Sequence, residues 1–497
     1  MKRQAYNPYL PEYEYVPDGE PHLFEGRVYI YGSHDEAFGS RYCQRDYVTW
    51  SAPEDDLSDW RYEGVIYTKT QDPSNSDGKM DLWAPDVCRG ADGRYYLYYC
   101  FSFYHEIGVA VSDSPAGPFS FYGHVKYPDS IRDGAVLREF MPFDPAVLND
   151  DGRIYLYYGF APAEEKEMKI PDPDEMDLPE EEKAKFREIA EVMRQNPFGE
   201  YGMVAELESD MVTLKEVPRE LIPGGHHTKG TGFEEHGFFE ASSIRKVDDM
   251  YYFVYSSHKS HELCYATSRY PDRDFEYGGI LVSNGDIGID GNNTPTNVLG
   301  NNHGGMVEAD GQWYIFYHRQ TNGTECSRQG CAEKIKIEPD GKIRQAEITS
   351  CGLNDGPLAG AGTYPAYIAC HITDTTTQSR IDYSNPVMKT QTRVTSTADG
   401  KKQYITDITD GSRLGYKYFR CEGIREITVE ISGEFRGTVC VCADKNGEET
   451  AGEAEIACFG NETVHIPVKL EDGVNAIYFF FTGTGKCDMT EFTLIRG

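Results

Sequence analysis

The sequence has no apolar run approaching the roughly 20 residues that a membrane-spanning helix needs. The opening MKRQAYNPYLPEYEYVPDG follows its two basic residues with prolines, tyrosines and acids, where a secretion signal would carry an apolar core. The expectation is a cytoplasmic protein with no membrane partner. Positive charge is also scarce: 48 Lys and Arg stand against 82 Asp and Glu, for a formal net charge of −34. A surface of that sign repels phosphate backbones, so nucleic acid is excluded as a partner, and solubility accounts for the acidity. Metal-finger spacing is missing as well. Thirteen cysteines are scattered from Cys43 to Cys487, and the close pairs Cys326/Cys331 and Cys440/Cys442 lack a second half, so they read as reduced thiols. Helical periodicity is confined to one segment.

What is present is β-sheet vocabulary: 36 Tyr, 24 Phe and 50 Gly. One phrase recurs five times, as PDGEPHLFEGRVYIYGSHD from Pro17, APDVCRGADGRYYLYYCF from Ala84, FDPAVLNDDGRIYLYYGF from Phe143, FEASSIRKVDDMYYFVYSS from Phe239 and NHGGMVEADGQWYIFYHR from Asn302. Each reads as a strand, a tight turn and an aromatic second strand, the hairpin signature. The turns, at Gly26, Gly93, Gly152, Asp249 and Gly311, are 67, 59, 97 and 62 residues apart. A period near 60 with one hairpin per repeat predicts a five-bladed β-propeller, with four strands per blade and a central channel lined by the innermost strands. The fold class is all-β. The propeller is expected over residues 1–351, with a helical insertion at about 161–200, a Gly-rich linker at 352–362 and a β-sandwich over 363–497. Within the insertion, Phe186, Ile189, Ala190 and Met193 make one apolar stripe on a helix that the topology sets at the mouth of the channel.

Seven to nine residues before each turn stands a polar side chain: Asp18, Asp86, Asp144, Glu240 and His303. If they open the innermost strands, four carboxylates and one imidazole converge near the axis; the plainer alternative is that they open turns or cap strands. Converging carboxylates can bind a cation or divide acid and base roles between them, as glycoside hydrolysis requires. Glu240 follows His-Gly-Phe-Phe, an apolar setting that raises a carboxyl pKa, whereas Asp18 lies beside Gly19, open to water.

Asp-Gly-Glu-Pro at Asp18, Trp83-Ala84-Pro85-Asp86, Asp144-Pro145, Phe239-Glu240 and His303-Gly304-Gly305, in this order over about residues 7–350, resemble glycoside hydrolase family 43. The resemblance implies a five-bladed propeller that inverts the anomeric centre of pentosides. It implies Asp18 as general base, Asp144 as the residue that tunes and orients the acid, and Glu240 as general acid. It further implies a hydrated cation, calcium, on His303, the alternative being a histidine hydrogen-bonded within the channel; catalysis itself needs no cofactor. Trp83 resembles the aromatic wall of the sugar pocket, Asp86 is a candidate for a sugar hydroxyl, and Arg328 is a further substrate-binding candidate. His258, His261, Phe103 and Tyr104 are weaker ones on the same face. Two departures stand out: Asp18 is followed by Gly where the family has Pro, and Glu240 by Ala241 where it often has Gly. The C-terminal segment, with Gly-Tyr-Lys-Tyr-Phe at 415–419, is similar to carbohydrate-binding module family 6, and either binds xylan or braces the propeller.

The expected protein is an inverting, exo-acting hydrolase of xylan- or arabinan-derived oligosaccharides, releasing L-arabinofuranose or D-xylose. The oligomeric state is open. A β-galactosidase or arabinanase on the same scaffold, and a non-catalytic sugar-binding propeller, are the alternatives.

Overall fold

A computed structural model of the chain describes residues 3–102, 104–162, 199–375 and 390–497, with isolated positions 174, 180, 183, 184, 187 and 191. Phe103 and the apolar stripe at Phe186, Ile189, Ala190 and Met193 lie outside the described residues. Among the described residues, no helix is long and apolar enough to cross a membrane.

Five antiparallel sheets follow one another along the chain, each ordered as its strands occur. The first holds β1 (Glu20–Phe24), β2 (Arg27–Tyr31), β3 (Tyr47–Pro53) and β4 (Arg61–Tyr67); the second β5 (Leu82–Arg89), β6 (Tyr95–Phe101), β7 (Tyr104–Ser112) and β8 (Ser120–His124). The third holds β9 (Ala146–Asp150), β10 (Arg153–Tyr158), β11 (Tyr201–Leu207) and β12 (Arg219–Pro223); the fourth β13 (Phe238–Val247), β14 (Met250–Ser257), β15 (Glu262–Ser268) and β16 (Glu276–Ser283). The fifth has only three strands, β17 (Met306–Ala309), β18 (Gln312–Thr321) and β19 (Thr324–Ile335), which corrects the expectation of four. The segment read as its fourth strand leaves the blade instead. Ile337 and Ile343 form a bridge across a turn, and Ala346 bridges to Val282 of β16, so its backbone groups are satisfied by blade four.

The aromatic second strands are buried on both faces, because a propeller blade is covered by a neighbour on each side. Alternation then sends successive residues into different cores. Tyr29 and Tyr31 of β2 enter the core shared with blade two, while Val28 and Ile30 enter the one shared with blade five. On β6, Tyr95, Leu97 and Tyr99 face blade one and Tyr96 and Tyr98 face blade three. One apolar cluster fills each of the five junctions between blades, and the ring is closed where blades one and five meet, with Ala5, Tyr9, Leu10 and Val16 packed into the same cluster. Asn7 fastens this closure: its Nδ2 donates to Ala332 O and Glu333 Oε1, and its Oδ1 accepts from Ala332 N–H.

The C-terminal strands are β20 (Leu358–Ala359), β21 (Gly362–Pro365), β22 (His371–Thr373), β23 (Arg393–Ser396), β24 (Gln403–Ile408), β25 (Arg413–Cys421), β26 (Ile424–Cys442), β27 (Thr450–Pro467) and β28 (Gly473–Arg496). They form one connected sheet in which β28 pairs along its length with β21, β24, β25 and β26, around a single apolar core. The segment read as a linker is partly built into this sheet: Leu358–Ala359 pairs parallel with Phe419–Arg420, and Leu358 is fully buried. Gly-Tyr-Lys-Tyr-Phe also turns inward, with Tyr416 and Phe419 in the core.

Lys417 joins the C-terminal sheet to the propeller. Its buried Nζ lies 3.0 Å from Asp286 Oδ2 and 2.7 Å from Glu347 Oε1, while His371 Nε2 lies 2.6 Å from Asp286 Oδ2. Removing one member of a buried ion cluster leaves the others uncompensated. Lys417→Ala should therefore cost about 3–5 kcal/mol of stability, read as a lowered Tm against wild type.

Candidate active site

Strand register shows which residues share a level of the channel. Trp83 pairs with Cys100 and Glu240 with Ser256, each seven residues past its hairpin turn. Continuing the registers of β1/β2 and β9/β10 places Asp18 opposite Ser33 and Asp144 opposite Gly159, at the same level. His303 continues β17 to the same height, opposite His318, and Gly304 and Gly19 bridge blades five and one. The ring at the mouth is thus Asp18, Trp83, Asp144, Glu240 and His303. Asp86 pairs with Tyr98 and Glu20 with Tyr31, two strand positions deeper.

Asp86 is therefore in the channel but beneath the level of Asp18, Asp144 and Glu240. It is 1% exposed, with Oδ1 held by His22 Nε2 (2.6 Å) and the Val87 N–H, and Oδ2 by the Val147 N–H (2.7 Å). Those bonds tie the innermost strands of blades one, two and three together. Beside it, Glu20 Oε1 accepts from Ser243 Oγ (2.8 Å) and Arg245 Nη2 (2.5 Å).

Arg328, on β19, is brought to the site, where its guanidinium joins Asp18 to Asp35. Its guanidinium is 2% exposed: Nη1 donates to Asp18 Oδ1 (2.8 Å), and Nε and Nη2 donate to Asp35 Oδ2 (2.8 Å) and Oδ1 (3.1 Å). The Tyr42 ring lies under it, 4.7 Å from Cζ. His318 Nε2 faces the Asn301 carbonyl at 2.7 Å, so that nitrogen carries the proton and Nδ1 accepts from the Asp18 N–H.

Three carboxyls at one level, Asp18 and Asp144 buried and Glu240 half-buried, cannot all keep their charge. Burial pushes the Asp18 carboxyl up, but Arg328 together with His318, His303 and a hydrogen bond from Ser33 outweighs it, so the group is held below the usual carboxylate range. Burial and then the charges of Glu240 and Asp18 push Asp144 far above that range. Burial and then Asp18 push Glu240 up as well. The set is split into an ionised Asp18 and a proton-holding Glu240 and Asp144, which titrate as a pair. Burial lowers His303 to about 4, so its imidazole is neutral, with Nδ1 3.5 Å from Asp144 Oδ2.

Backbone strain aims these groups. Asp18 (φ 55°), Asp144 (φ 46°) and Ala241 (φ 66°) are all left-handed, at about 1–2 kcal/mol each. Ala241 follows the acid, its N–H donates to Asp144 Oδ2 (3.1 Å), and the register slips between Glu240 and Ser243. The bulge turns the half-buried Glu240 toward the channel, and Asp144 holds it there. A left-handed position is where glycine is unstrained, which explains why glycine suits it.

Trp83 is half-buried and packs edge-on against Phe143 (5.5 Å) and Tyr42 (6.2 Å). Phe143, Phe160 and Phe239 continue the series at 5.1 and 4.9 Å, an apolar wall running to the acid. His258 and His261 are half-buried on the turn after β14, the His258 N–H donating to Gly237 O and His261 Nδ1 meeting Ser283 Oγ; Tyr104 is half-buried on β7. Asp35, His318, Glu20, Phe143 and Phe160 are site residues that sequence reading missed; for Asp35, the acid closing Gly-Ser-His-Asp directly after β2 was the available signal.

A hydrated cation in the channel has features to meet it. Glu20 Oε2 is buried and has no hydrogen-bond partner among the described residues, and Glu20, His22 and Asp86 present ligand atoms within 4.8 Å of one another. His303 belongs to no such cluster among the described residues, so it offers a single nitrogen.

Arg328→Lys keeps a positive charge but cannot serve both carboxylates with one fork. With less to oppose burial, the Asp18 pKa rises, the base is protonated at higher pH, and the acidic limb of kcat/KM should move upward. An unmoved limb would mean that Arg328 does not set the charge of Asp18.

Glycosyl hydrolases family 43 matches the chain over residues 16–183 and 191–343. The chain is 46% identical over 503 residues to a xylosidase/arabinosidase of Thermoclostridium stercorarium, covering 99% of each, and 29% identical over 354 residues to a xylosidase/arabinosidase of Bacteroides ovatus, covering 67% of this chain and 96% of the other. The solved structure of CoXyl43, a GH43 β-xylosidase/α-arabinofuranosidase from a compost microbial metagenome in complex with xylotriose, is 26% identical and covers 70% of this chain and 98% of that one, at a TM-score of 0.49. With its carboxylates divided between charged and protonated forms on a five-bladed propeller, the chain belongs to glycosyl hydrolases family 43.

Proposed function

We propose that this glycoside hydrolase is an inverting, exo-acting pentosidase that releases L-arabinofuranose or D-xylose from xylan- or arabinan-derived oligosaccharides. The observation that carries the mechanism is the 2.8 Å bond from Arg328 Nη1 to Asp18 Oδ1, which sets Asp18 apart from Glu240. Asp18, ionised beside Arg328, takes a proton from a water molecule, which attacks the anomeric carbon from the face opposite the leaving group. Glu240, protonated by burial and by the Asp18 charge, gives its proton to the departing glycosidic oxygen. One proton is gained at Asp18 and one lost at Glu240, and solvent resets both. Asp144 positions the acid through Ala241 N–H. Trp83 and Phe143 offer aromatic surface to the CH-rich face of the sugar. The pentose assignment rests on relatives named as xylosidase/arabinosidase, one of which matches nearly the whole chain. Thirteen unpaired cysteines suit a reducing, cytoplasmic setting.

Glu240→Gln cannot protonate a leaving group. That matters greatly for a sugar alkoxide and little for a nitrophenolate, so this variant should lose far more kcat/KM on oligosaccharides than on nitrophenyl pentosides. Asp18→Asn removes activation of water and should disable both substrates. Equal losses for Glu240→Gln on both classes would overturn the division of roles.

A hydrated Ca2+ in the channel would be held by His303 and by the free Glu20 Oε2, and would supply fixed positive charge beneath the site. Chelation should lower Tm and added Ca2+ should restore it, whereas His303→Gln should show neither response.

A further inference from the structure

A second cluster of ligating atoms lies behind the acid, on blade four. His236 precedes β13 by two residues and Glu240 by four; Glu262 and Cys264 lie on β15, both side chains facing His236. His236 Nδ1 is 2.6 Å from Glu262 Oε1, Cys264 Sγ is 3.8 Å from His236 Nδ1, and Sγ is 3.6 Å from Glu262 Oε1. Glu262 is 1% exposed and Cys264 fully buried, while the His236 side chain is 17% exposed and leaves a route in from solvent.

Hydrogen bonding accounts for part of this arrangement. Glu262 Oε1 accepts from Ser257 Oγ (2.7 Å) and meets His236, whose ring stacks on Tyr277 at 4.8 Å with the planes 7° apart. The thiol donates to the same carboxylate oxygen and is hydrogen-bonded to the Tyr277 side chain, which leaves sulfur, oxygen and nitrogen ligand atoms of three side chains facing one another. Tetrahedral zinc with bonds of about 2.0–2.3 Å sets its ligand atoms about 3.3–3.6 Å apart. The two contacts to sulfur are near that spacing, and the nitrogen–oxygen contact needs to open by several tenths of an ångström. A thiolate, a carboxylate and a neutral imidazole together carry two negative charges, which balance one divalent cation in a buried place. Sulfur selects the cation: hard Ca2+ and Mg2+ take oxygen ligands, whereas thiolate with imidazole suits Zn2+. The set also differs in kind from the oxygen-rich channel around Glu20.

We propose that His236 Nδ1, Glu262 Oε1 and Cys264 Sγ form a binding site for a thiophilic divalent cation, Zn2+ or its spectroscopic substitute Co2+, with a water molecule as fourth ligand. Binding releases the thiol proton and pins the segment that leads into Glu240, so the site bears on the acid strand without touching substrate.

The test uses the full chain, stripped of metal and titrated with Co2+. One equivalent should bind and produce the near-ultraviolet charge-transfer absorption of a cobalt thiolate, and Zn2+ should displace it and raise Tm. Both responses should vanish in Cys264→Ser, which controls for the other twelve thiols, Cys440 and Cys442 above all, whose sulfurs are 3.6 Å apart. His236→Gln, at the accessible edge, changes no packed core residue and should also lose the band; it decides the matter if Cys264→Ser does not fold. Absence of the band in wild type, or its survival in either folded variant, would overturn the proposal. The readout is independent of glycosidase activity.

Discussion

The buried guanidinium of Arg328 is the contact on which the rest of the site depends. It comes from blade five and reaches Asp18 at the head of blade one and Asp35 in the loop after β2, so it bonds across the junction where the ring of blades closes. A carboxylate so enclosed would otherwise take up a proton, and taking either ion out of water costs several kcal/mol. The pair is therefore weak as a source of stability. What it does is help fix a charge: Asp18 stays ionised, while burial, together with neighbouring carboxylate charge, raises Glu240 and Asp144. Ring closure and the charge of Asp18 are one structural event, because this carboxylate, the proposed base, acquires its cation only when the last blade meets the first.

Local strain follows from the same convergence. The five innermost strands must bring side chains of different lengths to one level, and regular strand geometry would turn some of them into the walls. Left-handed residues at Asp18, Asp144 and Ala241, and the register slips after Trp83 and Glu240, are the adjustments. The packed junctions between blades over-determine the backbone there and hold it in place.

How far the sequence disclosed this depended on how regular each spacing is. The hairpin turns and the doubly buried aromatic strands repeat plainly, so the five blades were legible. Asp18, Asp144, Glu240 and His303 stand eight or nine residues before their turns and do share a level. Asp86, seven before its turn, lies two positions deeper; Trp83, ten before, stands at that level, because the turn is longer there, with Arg89 paired to Tyr95, and a bulge between Trp83 and Asp86 adds one residue more. Arg328 was legible as a site residue, but its bond to Asp35 was not, since Asp35 lies 293 residues away and only closure brings them together. The missing fourth strand of blade five has the same origin: EKIKIEPDGKIRQAEI has a strand's alternation, but a blade-four edge competes for its hydrogen bonds and wins.

The C-terminal sheet bears on that same closure. In the aromatic run that resembles a sugar-binding module, Tyr416 and Phe419 are buried and Tyr418 is half-buried. The sheet's polar residues grip the hairpin that carries Arg328: the Asn322 N–H donates to Val394 O, and Asn322 Oδ1 accepts from the Ser396 N–H, at the turn between β18 and β19. Tyr15, three residues before Asp18, shares the contact, its hydroxyl 2.6 Å from Ser396 Oγ and accepting from Gln403 Nε2. One surface of the C-terminal sheet thus holds the segment bearing the base and the hairpin bearing its cation. A shift of either by an ångström would stretch the 2.8 Å bond that keeps Asp18 charged, so fixing both from outside the propeller preserves the protonation pattern on which hydrolysis depends.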